Sequence, residues 1–255
     1  VAQQKPSYYP PQPGAWAAPE SLNPGYIHGA DGVAGFGHRN FYVAVIPRAL
    51  ACGLIIKYHY SRRIVANSYI HLGVWVGGEM RGVLQYGYAM NPRAVGKIVA
   101  GTEIGQYLEL NRMWLDDVAP RNSESQAISY SIKYIRRACP TVAWIQSFAD
   151  ERCGGWGVVY QAANFHYFGH HMKAFYELDG EFYHSMLLTL RRNRSGGRGE
   201  YLRNNIHRAT EHRLKQFRYI YMVKPKWLKR CRVQPLPYPK PGQPLPNRRR
   251  RVASK

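Results

Sequence analysis

Acidic residues are scarce in this chain. Fifteen Asp and Glu stand against 36 Lys and Arg in 255 residues, a formal net charge of +21. Such a surplus repels itself unless a polyanion meets it, so nucleic acid is the first partner class to consider and an anionic membrane surface the second. Cysteine is also sparse. Cys52, Cys139, Cys153 and Cys231 form no CxxC pair, which excludes the common zinc spacings and a dense secreted disulfide framework. The expectation is a reduced, intracellular protein. No apolar run approaches the roughly 20 residues of a membrane span, and the opening residues lack a charge-then-apolar signal pattern. A soluble protein with no membrane partner is therefore expected. Walker and GxGxxG loops are missing, and no internal repeat is present.

What is there is a hydrophobic content of 45%, enough for one buried domain with tails. The basic residues are unevenly placed. Residues 186–255 hold 20 of the 36 Lys and Arg, opposed only by Glu200 and Glu211. Tyr201, Phe217, Tyr219, Tyr221 and Trp227 are interleaved with them and can stack on bases or pack under a phosphate-binding face. A solvated basic tail is the alternative. The divisions that follow are a Pro/Gly/Tyr-rich arm (1–38), a catalytic domain (39–190), a basic extension (191–233) and a Pro/Arg-rich tail (234–255).

Along the chain, the arm has no periodicity and is expected to lie over the domain or stay mobile, with Tyr8, Tyr9 and Trp16 as anchors. FYVAVI (41–46) reads as a strand. Pro47 suits a first helical position, and Leu50/Leu54 with Ala51/Ile55 carry a helix through Tyr60. IHLGVWV and RGVLQYGYAM flank Gly77-Gly78-Glu79 as a hairpin. YLELNRMWLDD alternates as a strand from 107. Ser123 and Gln126 fit a capping box for a helix that Pro140 stops, with Ile128, Ile132 and Ile135 on one face. TVAWIQSFAD is the next strand. Gly154, Gly155 and Gly157 interrupt the chain before a short helix with Val158, Ala162 and Phe165 on one side. Strands at 167–177 and 182–189 surround a turn at Asp179-Gly180. Further on, RRNRSGGRGEYLRNN reads as loop, HRATEHRLKQF as helix and RYIYMV as strand.

Three constellations carry chemistry. The helix start with Arg121, Asn122, Ser123 and Ser125 is either a phosphate cradle or an ordinary cap. Asp150, at a strand end before a glycine-rich loop leading to Tyr160, is either a catalytic carboxylate or a helix cap. Arg112, on a strand expected to be buried, calls for a partner, with Glu109, Asp116, Asp117 and Asp150 available. His59 and Tyr60 form the third group; converging with Asp150 and Tyr160 they would make a mixed site suited to iron. His166, His170 and His171 are a rival cluster, but neighbours on a strand face opposite ways.

HYS (59–61), ELNRMWLDD (109–117), NSES (122–125), SFAD (147–150), GVVYQAANFHYFG (157–169), DGEFYHS (179–185) and FRYIYMVKPKWLKR (217–230) occur in colinear order. This set resembles the Mom family of phage DNA-modification proteins over residues 40–240. The resemblance implies an α+β, GNAT-like fold, with a central mixed sheet flanked by helices, splayed central strands and a helix beginning at Ser123–Ser125 beside a donor's pyrophosphate. It implies conversion of adenine N6 in duplex DNA to N6-carbamoylmethyladenine, protecting phage DNA from restriction in the cytoplasm of the infected or lysogenic host. It also implies iron as cofactor, with acetyl-CoA or another CoA-type donor a further expectation. The residues carried over are His59 and Tyr60 toward metal, and Arg112, Ser125, Asp150 and Tyr160 toward catalysis, Ser125 joining Arg121, Asn122 and Ser123 at the donor. Arg191, Arg192, Arg194, Arg198, Arg203, Lys215, Arg218, Lys226, Lys229 and Arg230 are the expected DNA contacts. A GNAT acyltransferase of a protein or small molecule, and a non-catalytic DNA-binding protein, are the competing readings.

Overall fold

The computed structural model describes residues 16–246 apart from 90, 91, 190 and 191, and leaves the side chains of 93, 94 and 192–196 undescribed. Ten strands form one sheet in the order β1-β2-β3-β4-β5-β6-β7-β10-β8-β9. They are β1 (Gly25–Gly29), β2 (Gly32–His38), β3 (Phe41–Val45), β4 (Ser68–Val76), β5 (Glu79–Gly87), β6 (Tyr107–Leu115), β7 (Trp144–Asp150), β8 (His166–Leu178), β9 (Glu181–His184) and β10 (Thr210–Met222). Every neighbouring pair is antiparallel except β6 and β7. The helices are α1 (Arg48–Tyr58), α2 (Ser123–Ala138), α3 (Val158–Ala162), α4 (Met186–Thr189) and α5 (Arg192–Asn204). This is the expected α+β mixed sheet with helices on its faces.

Strand alternation decides which helix covers which face. Val43, Val45, Leu72, Val74, Leu84 and Leu110 join Ile128, Ile132 and Ile135 of α2 in the main core. On the other face, Val83 and Ile46 pack with Ala51 and Ile55 of α1. Two tight turns use residues that tolerate positive φ. Gly77 and Gly78 (φ 60° and 87°) close β4–β5, and Asp179 and Gly180 (φ 51° and 74°) close β8–β9.

The decisive irregularity lies at the centre. The parallel ladder between β6 and β7 pairs Tyr107 with Trp144, Leu108 with Ile145 and Glu109 with Gln146, and then ends. Beyond it β6 stays with β5, Arg112 opposite Gln85, and β7 stays with β10, Asp150 opposite Gln216. Asn111 is an extra residue in β6, since Tyr86 pairs with Leu110 and Gln85 with Arg112. A bulge bends the strand that carries it, so β6 turns away from β7 just past the last rung. The Ser147 hydroxyl donates to the Leu110 carbonyl at 3.3 Å, standing in for the next ladder bond.

Several sequence expectations change. Residues 25–38 are a hairpin of the sheet and not part of an arm, and Phe36 packs edge-on against Tyr130 of α2 at 5.2 Å. Trp16 does anchor the chain, edge-on to Trp75 and Tyr42; Tyr8 and Tyr9 lie outside the described residues. Pro47 is the N-cap of α1, one residue before the expected position. At α2 the capping box does not form: Asn122 is the N-cap, with φ 70°, and makes no side-chain cap bond. Val158 is exposed, because α3 buries Tyr160 instead. Residues 186–189 are α4 and not the end of a strand. Residues 192–204 are the helix α5, and 210–222 are one long strand wedged between β7 and β8. The tail is docked over its first part: Leu236 bridges Tyr167 on the stretch of β8 beyond its pairing with β9, and the Tyr238 hydroxyl donates to the Phe165 carbonyl at 2.8 Å. The arginine run at 248–251 lies outside the described residues.

Candidate active site

Where β6 and β7 part, polar side chains gather from four directions. Asp150 ends β7 and is 8% exposed. Its Oδ1 accepts the Arg152 backbone N–H at 3.1 Å, and its Oδ2 accepts from Arg152 Nε at 3.2 Å and Nη2 at 2.9 Å. It is thus a cap and an ion-pair partner at once. The Arg152 guanidinium lies over the rings of Phe175 (4.3 Å), Phe182 (5.5 Å) and Tyr60 (5.7 Å). Those contacts tie β7 to β8, to β9 and to the end of α1.

Tyr60 is exposed at its ring while its hydroxyl donates to the Cys153 sulfur and senses Asp150; burial of that hydroxyl, then Cys153 and Asp150, raise its pKa. Arg112 opposes that shift and stands close by. Its guanidinium does not form the expected carboxylate pair. Nε donates to the Arg63 carbonyl at 3.0 Å and Nη1 to the Asn111 carbonyl at 2.7 Å, with Tyr60 and Glu109 close by. Two carbonyls hold the cation without neutralising it, which leaves it available to an anion. Asp116, one of the partners considered for it, pairs with Arg81 at 3.1 Å.

Tyr160 reaches the same opening from the α2 face. Its ring lies 5.4 Å from Tyr219 and 5.6 Å from Phe165, its hydroxyl pairs with Ser147, and burial raises its pKa. Gly157, just before α3, has φ 77°, and a Cβ there would meet the Tyr219 ring at 2.3 Å. The glycine loop therefore serves close packing of backbone on an aromatic ring.

Glu109 and Gln146 occupy the last rung itself. Gln146 Nε2 donates to Glu109 Oε2 at 2.7 Å. Burial pushes the Glu109 carboxyl up to about 7, against the opposing pull of Gln146, Arg112 and Arg218. The sequence offers Glu109 only as a partner for Arg112 and does not single out Gln146, Ser147, Arg152 or Cys153 for this site. The strand alternation that puts Glu109, Gln146 and Asp150 on one face was readable; the position where the ladder stops was not.

His59 stacks on Tyr60 at 4.2 Å and is buried, and burial followed by the Arg112 charge lowers its pKa to about 4. Its Nδ1 accepts from the Ser61 N–H (3.0 Å) and pairs with the Ser61 hydroxyl (2.8 Å). Among the described residues no group of three His, Cys, Asp or Glu is placed to hold a metal. His59 and Tyr60, the residues expected toward iron, thus lie side by side, with His59 Nδ1 on Ser61 and Asp150 on Arg152.

The start of α2 leaves the opened end of β6, as the fold resemblance requires. Its polar groups are turned inward: Ser125 Oγ donates to the Asn122 carbonyl at 3.0 Å, and the Ser123 N–H to the Pro120 carbonyl at 3.1 Å. Arg121 is exposed there.

The expected DNA contacts divide into groups. Arg198 pairs with Glu181, which also meets Arg63 at 3.5 Å, so α5 is tied to the mouth of the opening. Lys215 pairs with Glu151 at 2.7 Å, and Arg218 lies over Phe148 at 5.2 Å, both near Asp150. Arg203 donates to the Leu187 carbonyl at 2.9 Å. Lys226, Lys229 and Arg230 do not share the mouth. They follow Met222, which pairs with Trp144 at the start of β7, six residues or about 20 Å from Asp150. The side chains of Arg191, Arg192 and Arg194 lie outside the described residues.

Comparison with known proteins settles the relationship. The Mom protein family model matches residues 40–240. The chain belongs to the Mom family. Methylcarbamoylase mom of Escherichia phage Mu is 50% identical over 210 residues, covering 80% of this chain and 87% of that protein. Among solved structures, Arabidopsis thaliana NAA60 in complex with a bisubstrate analogue is 9% identical, covers 71% of this chain and 97% of its own, and gives a TM-score of 0.46. The acetyltransferase of GNAT family from Streptococcus pneumoniae is 12% identical, with 61% and 67% covered and a TM-score of 0.37.

Proposed function

We propose that this Mom-family chain is a DNA methylcarbamoylase that converts adenine N6 in duplex DNA to N6-carbamoylmethyladenine and so protects phage DNA from restriction inside the host cell. The observation that supports the reading is the meeting of Tyr60, Arg112 and Asp150 where β6 and β7 part, with Tyr160 at Ser147 on the α2 face. The family relative is named for the same transfer.

Adenine N6 is a weak nucleophile, since its lone pair is delocalised into the ring, and in a duplex it is paired and stacked. The base must leave the stack, at a cost of a few kcal/mol, and enter a pocket that compensates. Tyr60, Phe182 and Phe175, with Arg152 across them, offer aromatic and cationic surface at the mouth for a flipped base. Arg112 holds an anionic group of the DNA or donor. Asp150, its oxygens engaged by Arg152, holds that guanidinium across the aromatic surface. On the α2 face, Ser125, Arg121 and the first turn of the helix are the place for the phosphates of a CoA-type donor. The DNA backbone runs along the α5 side, beside Arg198, Lys215 and Arg218.

Asp150→Asn and Tyr160→Phe proteins, checked for folding, are expected to leave co-expressed plasmid DNA sensitive to restriction enzymes that the unaltered protein blocks. Full protection by either variant would remove the site assignment.

A further inference from the structure

The Gln146 side chain is 3% exposed, and its Oε1 has no hydrogen-bond partner among the described residues. A buried amide oxygen without a donor costs on the order of 1–3 kcal/mol, so its position calls for a ligand. Its Nε2 is held by Glu109 Oε2, which fixes the amide plane at the last rung before the strands part. The Glu109 side chain keeps some exposure while its carboxyl is desolvated, and its Oε2 takes the Gln146 bond, so Oε1 is the oxygen it can offer. Asp150, Arg218 and Gln146 share this face of the sheet through the pairing of β7 with β10. The rung therefore presents two side-chain acceptors, one fixed by the other, on the same face as Asp150. A group with two hydrogens on one planar nitrogen matches them; an exocyclic amine is such a group.

We propose that Glu109 and Gln146 are the amine-reading pair of the site, Gln146 Oε1 accepting one N6 hydrogen of the flipped adenine and Glu109 accepting the other and removing it as a proton. In the transfer the N6 lone pair bonds to the methylene carbon of a donor that carries a carbamoylmethyl group on a leaving group. The bond from that carbon to the leaving group breaks with its electron pair, and the proton released from N6 converts the Glu109 carboxylate to the acid. Asp150 is the poorer acceptor, because three donors from Arg152 already occupy its oxygens. Glu109, destabilised as an anion by burial, gains by taking a proton near neutrality.

This inference rests on the methylcarbamoylase reading, and the test separates the two. Glu109→Gln and Gln146→Leu proteins are made beside the unaltered chain. Modified deoxyadenosine is measured by nucleoside mass spectrometry of DNA from expressing cells. Binding is measured at one salt concentration to single-stranded 12-mers of deoxyadenosine and of the purine deoxynucleoside that lacks the amine. The two strands have equal charge and differ at the 6-amine. The unaltered protein is expected to prefer the adenine strand about 10-fold, more at pH 8 than at pH 6. Both variants should keep their affinity for the amine-free strand, lose the preference, and lose modification at least 100-fold. An intact preference or full modification in either variant overturns the pair while leaving the activity standing. No modified base from the unaltered protein removes the activity reading, whereas no preference in the unaltered protein removes the pair.

Discussion

The Glu109 carboxyl shows how a single residue can make stability and chemistry pull in opposite directions. Burial holds its folded pKa near 7, above the ordinary carboxyl value of 4.5, so the folded chain binds a proton there that the unfolded chain releases. The stabilisation is full below pH 4.5 and is lost as pH rises through 7. Glu109→Gln keeps a neutral side chain at every pH, so its melting temperature relative to the unaltered protein should climb between pH 4.5 and 7 and level off above; a pH-independent difference would contradict the buried titration. His59 acts in the other direction. Its folded pKa near 4 means that stability is present above 6.5 and declines as pH falls toward 4. At Arg152 the expectation is mechanical. Arg152→Gln leaves the Asp150 carboxylate buried with fewer donors and should cost about 2 kcal/mol, reduced from a fully buried pair by the partial exposure of Arg152. Chemical denaturation measures it, and a cost near zero would mean that Asp150 is not held by this pair.

Elements were legible in the sequence where neighbours in the chain decide them. The β4–β5 and β8–β9 turns follow from Gly77-Gly78 and Asp179-Gly180, and α2 from its Ile128, Ile132 and Ile135 stripe. Elements decided by distant partners were not. α5 carries Gly196, Gly197 and Gly199, with Leu202 as its fully buried anchor against Leu178 and Tyr183, so its helical form comes from docking and not from its own pattern. β10 reads as a charged helix over 207–217, yet two strands far away in sequence fix it as extended. The same limit applies to the site. Arg112, Asp150 and Tyr160 could be singled out by residue type and position, but the role of Glu109 follows from where the β6–β7 ladder stops, which the bulge at Asn111 determines. The glycine loop offers a direct test at this scale. Gly157→Ala combines positive φ with a Cβ driven into Tyr219, and should destabilise by about 2–4 kcal/mol and displace Tyr160. An unchanged denaturation midpoint would show that the loop is not packed on that ring.

At the scale of the whole molecule, charge and opening are arranged together. Arg218 shares the face of Asp150 and Arg198 is tied through Glu181 to Arg63, whereas Lys226, Lys229 and Arg230 follow the opposite end of β10. DNA affinity should fall steeply with salt, by nearly one log unit of affinity per log unit of salt for each phosphate neutralised. Replacing Lys226 and Lys229 together by Gln should leave the level of DNA modification within about twofold, since neither borders the opening; a loss as large as that of Asp150→Asn would show that the DNA runs the length of the sheet. The parted strands of this Mom-family chain are proposed to present an adenine amine for carbamoylmethyl transfer. Mass spectrometry of nucleosides from DNA of cells expressing the chain tests it directly. The expected product is a deoxyadenosine bearing one carbamoylmethyl group in place of an N6 hydrogen, absent when Asp150 is Asn. Unmodified deoxyadenosine alone, from cells containing the folded protein, would contradict it.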